Sequence, residues 1–196
     1  IVFVSSGGAI YGTPSILPIS EDGLTNPESS YGITKLTIEK YLSLFHHLYG
    51  LDYTIIRPSN PYGPRQNPHG NQGVVAVFLG RIAKRQPIEI WGNGQTIKDY
   101  IFIEDLVEGI YRAAFCNTPS KIFNIGSGIG HSINELLQII KEAVNKEFTV
   151  IYSPGELYDV SRIYLDVARA KRELEWEPQT PLSVGIKKTW DFVKGL

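Results

Sequence analysis

The chain opens on four apolar residues, Ile1 to Val4, β-branched except for Phe3, and the run ends in the small residues Ser5 to Gly8. A short continuous run of this kind predicts a parallel strand buried on both faces. A loop rich in Gly, Pro, Ser and Asp follows as far as Ser30. From Tyr31 the pattern changes period: Leu36, Tyr41, Leu44, Phe45 and Leu48 recur at helical spacing, with Ser29 or Ser30 as N-cap and Gly50 as the stop. The stretch "DYTIIRP" is the next strand, ended by Pro58. Strand, helix and strand in that order make a βαβ unit, which favours a parallel sheet with a right-handed crossover.

Shorter elements fill the second half. A helix is predicted from Val74 to Lys84, a short strand at "IEIWG", a strand at "DYIFIED" and a helix from Leu106 to Phe115. "KIFNIGSG" reads as a strand running into a tight turn, and Ser132 with Glu135 three residues on forms a capping box for a helix to Lys146. A strand at "FTVIY", a small helix from Asp166 to Leu174 and a last helix after "TPLSVGI" complete the chain. The aromatic residues Tyr100, Phe102, Tyr111 and Phe115 are expected in the core rather than on a base-stacking surface.

Composition narrows the class. Apolar residues at 42% and charged residues at 20% of 196 are near average usage, which argues against disorder and against a membrane protein. Nineteen basic and 20 acidic side chains generate no global field for nucleic acid or an anionic membrane. One cysteine, Cys116, forms no internal disulfide and fits a reducing cytoplasm. His46 and His47 are adjacent and face different sides of their helix, and His69 and His131 stand in loops without partners at metal spacing, so no metal site is expected. The chain has no Met and starts inside a strand, so a fragment or part of a longer chain is expected.

The candidate chemistry lies in Tyr31 and Lys35, which at i, i+4 share one helical face. A free phenol titrates near 10. To act as a base near neutrality it needs about 4 kcal/mol of phenolate stabilisation, which a neighbouring cation such as the Lys35 ammonium is the right kind of group to supply.

The motifs "SSGGAIYG", "YGITK", "RPSNPYGPRQ", "GQTIKDYIFIEDL", "FNIGSG" and "LDVARAKRELEWEP" stand in an order that resembles the extended short-chain dehydrogenase/reductase family, and within it the NAD-dependent sugar-nucleotide epimerases and dehydratases, closest to the UDP-hexose 4-epimerases. The resemblance covers essentially the whole chain. It implies an α/β fold: the C-terminal part of a Rossmann-like doubly wound parallel sheet plus a smaller mixed α/β substrate-binding region. Residues 1–66 would be the NAD-binding part with the Tyr-x-x-x-Lys helix. Residues 67–196 would be mainly the sugar-nucleotide-binding region, returning to the Rossmann sheet around 99–126.

By the same resemblance, Tyr31 would take the proton from a sugar hydroxyl as hydride leaves the same carbon for NAD. Lys35 would hold the nicotinamide ribose and stabilise the phenolate. Many relatives carry the catalytic hydroxyl four residues before the tyrosine of the loop's "YG" pair, here Gly7. A two-glycine variant places it at Ser6, with Ser5 as an alternative and a cofactor neighbour. Family dehydratases and decarboxylases carry Asp or Glu in this loop; Gly7, Gly8, Ala9 and Ile10 offer no proton, which favours epimerisation through a keto-sugar that turns over in the pocket.

The resemblance also implies that Asn60 contacts the substrate diphosphate, that Pro58 to Asn60 lie near the nicotinamide, that Gly7 borders the sugar, and that Val77 and Phe78 flank the nucleotide base. Lys98 stands where Arg is usual, which keeps the charge and loses the two-pronged grip on phosphate. Aligning by Asp159 and Asp166 puts Glu156 where relatives often carry Arg, with Arg162 as the compensating cation. Ile163 falls near a position of variable bulk that sets pocket size. A nucleotide-diphosphate sugar is thus the expected partner, with no nucleic acid, no membrane, a cytoplasmic location and a homodimer in the full-length protein. The first strand and Gly-rich turn of a dinucleotide fold have no counterpart here, so this chain alone is expected to be inactive. The alternatives are a non-catalytic fragment or binding module of the same fold, or another NAD-dependent nucleotide-sugar reductase or dehydratase.

Overall fold

The computed structural model describes residues 1–154 and 160–196. Its elements in chain order are β1 (Val2–Val4), α1 (Gly7–Ile10), α2 (Ser30–Tyr49), β2 (Thr54–Pro58), β3 (Asn60–Tyr62), α3 (Val74–Ala83), β4 (Ile88–Trp91), β5 (Ile97–Phe102), α4 (Ile103–Phe115), β6 (Ile122–Ile125), β7 (Gly130–Ser132), α5 (Ile133–Val144), β8 (Val150–Ser153), α6 (Ala168–Leu174) and α7 (Leu182–Val193). Among the described residues the strands form three sheets: parallel β1-β2-β6, mixed β3-β5-β7 and parallel β4-β8.

The first sheet is the expected βαβ arrangement, with Val4 opposite Ile56 and Ile56 opposite Phe123. Its centre is β2, whose Ile55 and Ile56 are fully buried. The expectation that β1 is buried on both faces does not hold: Ile1, Val2 and Val4 are exposed. In the described residues β1 pairs with β2 alone, and only Phe3 packs inward, against the cluster of Leu42, Tyr53 and Ile55.

Helix α2 starts and stops where the sequence predicts. The Ser29 hydroxyl accepts from the Gly32 N–H at 3.1 Å, and Gly50 ends the helix at φ 68° with its N–H bonded to the His46 carbonyl. Its buried face is narrow, consisting of Gly32, Glu39 and Leu42. The apolar row Tyr41, Leu44, Phe45 and Leu48 is exposed, and the Tyr41, Phe45 and Tyr49 rings follow one another in tilted contact with centroids 6.1 and 5.8 Å apart.

The larger core lies between α3, α5, α7 and the other two sheets, where Phe102, Leu79, Ile88, Leu136, Ile140 and Ile186 are fully buried. Each such side chain contributes about 1.5–3 kcal/mol of burial. The Ser132–Glu135 capping box is present in both directions, at 3.1 and 2.7 Å. Tyr100 and Phe102 are core residues as expected, but Tyr111 and Phe115 are not. They lie four apart on the outer face of α4, where their rings pair at 5.1 Å in solvent while Leu106, Gly109 and Ala113 face inward. No helix among the described residues is long and apolar enough to cross a membrane.

Candidate active site

The candidate residues gather where β1 and β2 end. The Ser5 N–H bonds to the Ile56 carbonyl at 2.7 Å, which carries the sheet ladder one residue past β1. The Ser5 hydroxyl is buried and unpartnered among the described residues. Ser6 begins α1 through its carbonyl, which accepts from the Ala9 and Ile10 N–H groups at 3.4 and 3.3 Å; its hydroxyl makes no cap bond and is partly exposed. A Cβ on Gly7 would lie 2.7 Å from Leu165 Cδ1 and 3.0 Å from the Arg57 carbonyl, so only glycine lets this turn sit on β2. At Gly8 the nearest atom would be the Asn60 Oδ1 at 3.8 Å, which leaves ordinary van der Waals space between the turn and Asn60.

Tyr31 stands in the first turn of α2 and is 55% exposed. The Lys35 ammonium donates to the Val4 carbonyl at 2.9 Å and lies 5.0 Å from the Phe3 ring centre and 5.6 Å from that of Tyr31. α2 is pressed against α1 at Gly32, where a Cβ would lie 2.5 Å from the Ala9 carbonyl oxygen and 2.9 Å from Pro27 Cβ. The helix carrying Tyr31 and Lys35 thus abuts the turn that follows Ser6.

A second group is organised by β5. Pro58, buried, closes β2, and Asn60 opens β3 opposite Tyr100 with its side-chain amide donating to the Asp99 carbonyl at 3.0 Å. Lys98 lies opposite His131, and the preceding residue, Ile97, is bridged to Arg162. Arg162 is exposed, its guanidinium 5.8 Å from the Tyr164 ring. β5 therefore strings Arg162, Lys98 and Asn60 along one strand. Val77 and Phe78 sit apart on α3; the Phe78 ring is 6% exposed and belongs to the main core, whereas Val77 is half-buried. Ile163 is fully buried against Ile10, Tyr11 and Leu165. Glu156 and Asp159 lie outside the described residues.

Two buried polar centres were not picked out from the sequence. Asp99 is 1% exposed and accepts from the Ser127 N–H and hydroxyl at 2.8 and 2.7 Å and from the Gly128 and Leu165 N–H groups at 3.2 Å each. Burial raises its carboxyl pKa against the pull of those donors. The other centre joins Arg57 to Glu39, Tyr11 and the Glu21 carbonyl; burial pushes the Tyr11 phenol up to about 12 against the opposing pull of Arg57. The available signal was a charged residue inside an apolar strand run, Asp99 in "IKDYIF" and Arg57 in "TIIRP".

A concavity of about 1020 Å³ lies elsewhere, beside Trp190 and Phe148. Arg85, Lys146 and Lys194 on its wall stand at or just past the C-terminal ends of α3, α5 and α7, where cations offset helix dipoles. No group of three or more His, Cys, Asp or Glu among the described residues could hold a metal ion.

The chain is 40% identical over 194 residues to a protein of Methanocaldococcus jannaschii described as a putative UDP-glucose 4-epimerase, covering 99% of this chain and 63% of that one. Its fold is similar to the crystal structure of the UDP-glucose 4-epimerase of Thermotoga maritima with UDP-glucose, at TM-score 0.94 and 38% identity over 99% of this chain and 63% of the other. It is likewise similar to the Thermus thermophilus UDP-glucose 4-epimerase complexed with NAD, at TM-score 0.91 and 35% identity with the same coverage. The chain thus spans about 63% of the length of the relatives it matches. Residues 1–126, which hold the Ser6 turn, the Tyr31–Lys35 helix, Asn60 and β5, match the NAD dependent epimerase/dehydratase family over their full extent, and the chain belongs to that family.

Proposed function

We propose that this chain is the catalytic-helix and substrate-binding portion of an NAD-dependent nucleotide-sugar epimerase that inverts a UDP-hexose at C4. One observation carries the reading: Tyr31 and Lys35 share a face at the start of α2, with Lys35 anchored to Val4 at the tip of a parallel strand, beside a Gly7–Ile10 turn that bears no acid or base. Ligands of α/β sheets sit at the carboxyl ends of parallel strands, which is where these groups converge.

In this reading the Tyr31 phenolate removes the proton from the sugar hydroxyl and later returns it. The Ser6 hydroxyl donates to the reacting oxygen. Lys35 stabilises the phenolate and reaches the nicotinamide ribose, with Ser5, Pro58 and Asn60 nearby. The buried, unpartnered Ser5 hydroxyl at the strand tip suits a polar cofactor edge. NAD, when bound, supplies a hydride acceptor at the carbon that bears the reacting hydroxyl. Asn60, Lys98 and Arg162 along β5 hold the diphosphate, and Val77 flanks the base together with the backbone of Phe78, whose ring is in the core. Elimination or decarboxylation would need a further proton donor or acceptor in the turn, and Gly7, Gly8, Ala9 and Ile10 supply none.

The test is Tyr31→Phe in the intact protein, with conversion of UDP-galactose to UDP-glucose as the readout. A fall in kcat of about 10²–10⁴-fold is expected, and an unchanged rate would overturn the assignment. The exposed row Tyr41, Leu44, Phe45 and Leu48 supports pairing of two copies through α2, which sedimentation of the intact protein would report.

A further inference from the structure

Arg57 and Glu39 carry opposite charges and are each 4% exposed. The guanidinium grips the carboxylate with both prongs, Nε to Oε1 at 3.2 Å and Nη2 to Oε2 at 2.6 Å. Its remaining nitrogen, Nη1, donates to the Tyr11 hydroxyl at 2.9 Å and to the Glu21 carbonyl at 3.1 Å. Tyr11 passes the chain on, donating to Asn124 Oδ1 at 2.8 Å.

Stability is a poor explanation for such a pair. The desolvation of two buried charges commonly offsets their attraction, and well-packed apolar replacements often leave stability unchanged or raised. The position of the pair says more. Glu39 is one turn from Lys35 and two from Tyr31 on the same face of α2. Arg57 directly precedes Pro58 and stands three residues before Asn60 on the central strand. Tyr11 directly follows α1, the turn that starts at Ser6. One guanidinium, on the strand that leads to Asn60, therefore joins the elements that carry Tyr31 and Lys35 and Ser6.

We infer that Arg57 and Glu39 are positioning residues that fix the phenol of Tyr31 and the ammonium of Lys35 relative to Ser6 and Asn60, and so set the rate and the pH range of proton transfer. The inference rests on Tyr31 being the base. A fork bonded at two points resists both rotation of α2 about its axis and sliding along β2, which a single contact would not. A misplacement of about 1 Å at a reacting group costs about 100-fold in rate, so a clamp below the site is felt at the chemistry.

The experiment uses the intact protein with UDP-galactose. In the double variant Arg57→Met with Glu39→Leu both charges leave together, and melting at or above the parent's temperature is expected. Its kcat is expected to fall about 10- to 100-fold with KM nearly unchanged, the signature of an interaction that matters in the transition state. The acid limb of its pH–rate profile is expected to move to higher pH, because Lys35 no longer stands in register with the phenol. Glu39→Asp, which keeps the charge and shortens the arm by one methylene, is expected to move both readouts the same way by less, and it decides the matter if the double variant does not fold. A folded variant with the parent's kcat and pH profile overturns the inference. So does loss of activity that only tracks loss of folded protein, with the pH profile in place. A parent protein that does not turn over UDP-galactose, or one indifferent to Tyr31→Phe, overturns the assignment of Tyr31 instead.

Discussion

The Lys35 ammonium is bonded to the Val4 carbonyl at 2.9 Å, which ties the helix bearing the candidate base to the last residue of a strand. The bond fixes the cation beside the phenol instead of leaving it to sweep through solvent, as a lysine with four rotatable side-chain bonds otherwise would. Lys35→Met keeps an unbranched side chain, one atom shorter, and removes the donor. In the intact protein kcat for UDP-hexose epimerisation is expected to drop by at least about 100-fold, measured under saturating substrate. A drop below about tenfold would mean that the ammonium is dispensable.

Gly32 marks the closest approach of α2 to the Ser6 turn. Gly32→Ala places a methyl 2.5 Å from the Ala9 carbonyl oxygen, and backbone on both sides must move. A loss of about 1–3 kcal/mol is expected in urea unfolding, in spite of the gain in helix propensity that alanine brings elsewhere in a helix. An alanine variant as stable as the parent would show that the two helices part freely.

Asn124 is fully buried on β6. Its amide donates to the Ile19 and Asp166 carbonyls at 3.0 and 3.2 Å and accepts from Tyr11 at 2.8 Å, which pins two loop segments to the sheet. Asn124→Ala strands those groups in the interior, at an expected cost of about 2–4 kcal/mol in denaturant unfolding. An effect below about 0.5 kcal/mol would assign the anchoring to other contacts.

The Glu173 carboxyl gives a pH dependence of known sign. The hydroxyls of Ser120 and Thr118, the latter at 2.6 Å, together with Arg172 hold its pKa down to about 2, from an ordinary value of 4.5. A depressed carboxyl stabilises the fold above its unfolded value and loses that contribution as pH falls through the folded one. The stability difference between the parent and Glu173→Gln is therefore expected to be constant above about pH 5 and to shrink between pH 4.5 and about 2. A difference that grows on acidification would reverse the assignment.

Much of this was legible in the sequence, for identifiable reasons. Ser29, Gly50, Ser132 and Glu135 announced helix ends because caps obey local rules, and the strand at "TIIRP" was bounded by its proline. Tyr31 and Lys35 were legible because four-residue spacing in a helix is a statement about space. The exposed face of α2 and the exposure of β1 were not legible, since apolar patterning says which residues could be buried and not what lies over them. Helix α1 was hidden because "GGAI" has the composition of a loop. Strand β3 was hidden because "NPY" follows a proline and a serine that read as a turn. Glu39 escaped because it looks like surface charge alone, and its meeting with Arg57, 18 residues away, depends on the register of a helix against a strand.

The crossing segment at residues 160–166 carries a consequence for how this chain tolerates change in length. Ile97 bonds to Ser161 and Ile163 on one side, at 2.9 and 3.0 Å, and Ile19 bonds to Tyr164 and Asp166 further along, at 3.0 and 2.8 Å. Between these anchors the side chains alternate, with Ile163 and Leu165 inside and Arg162 and Tyr164 outward. A gain or loss of one residue there would exchange the two sets, as a slipped register does in any extended segment. It would turn a guanidinium toward the apolar cluster of Ile10, Tyr11 and Leu165 and expose an isoleucine in its place. The reading frame of this one strap thus serves both the core and the cation it turns to solvent, and neither could drift in length without the other.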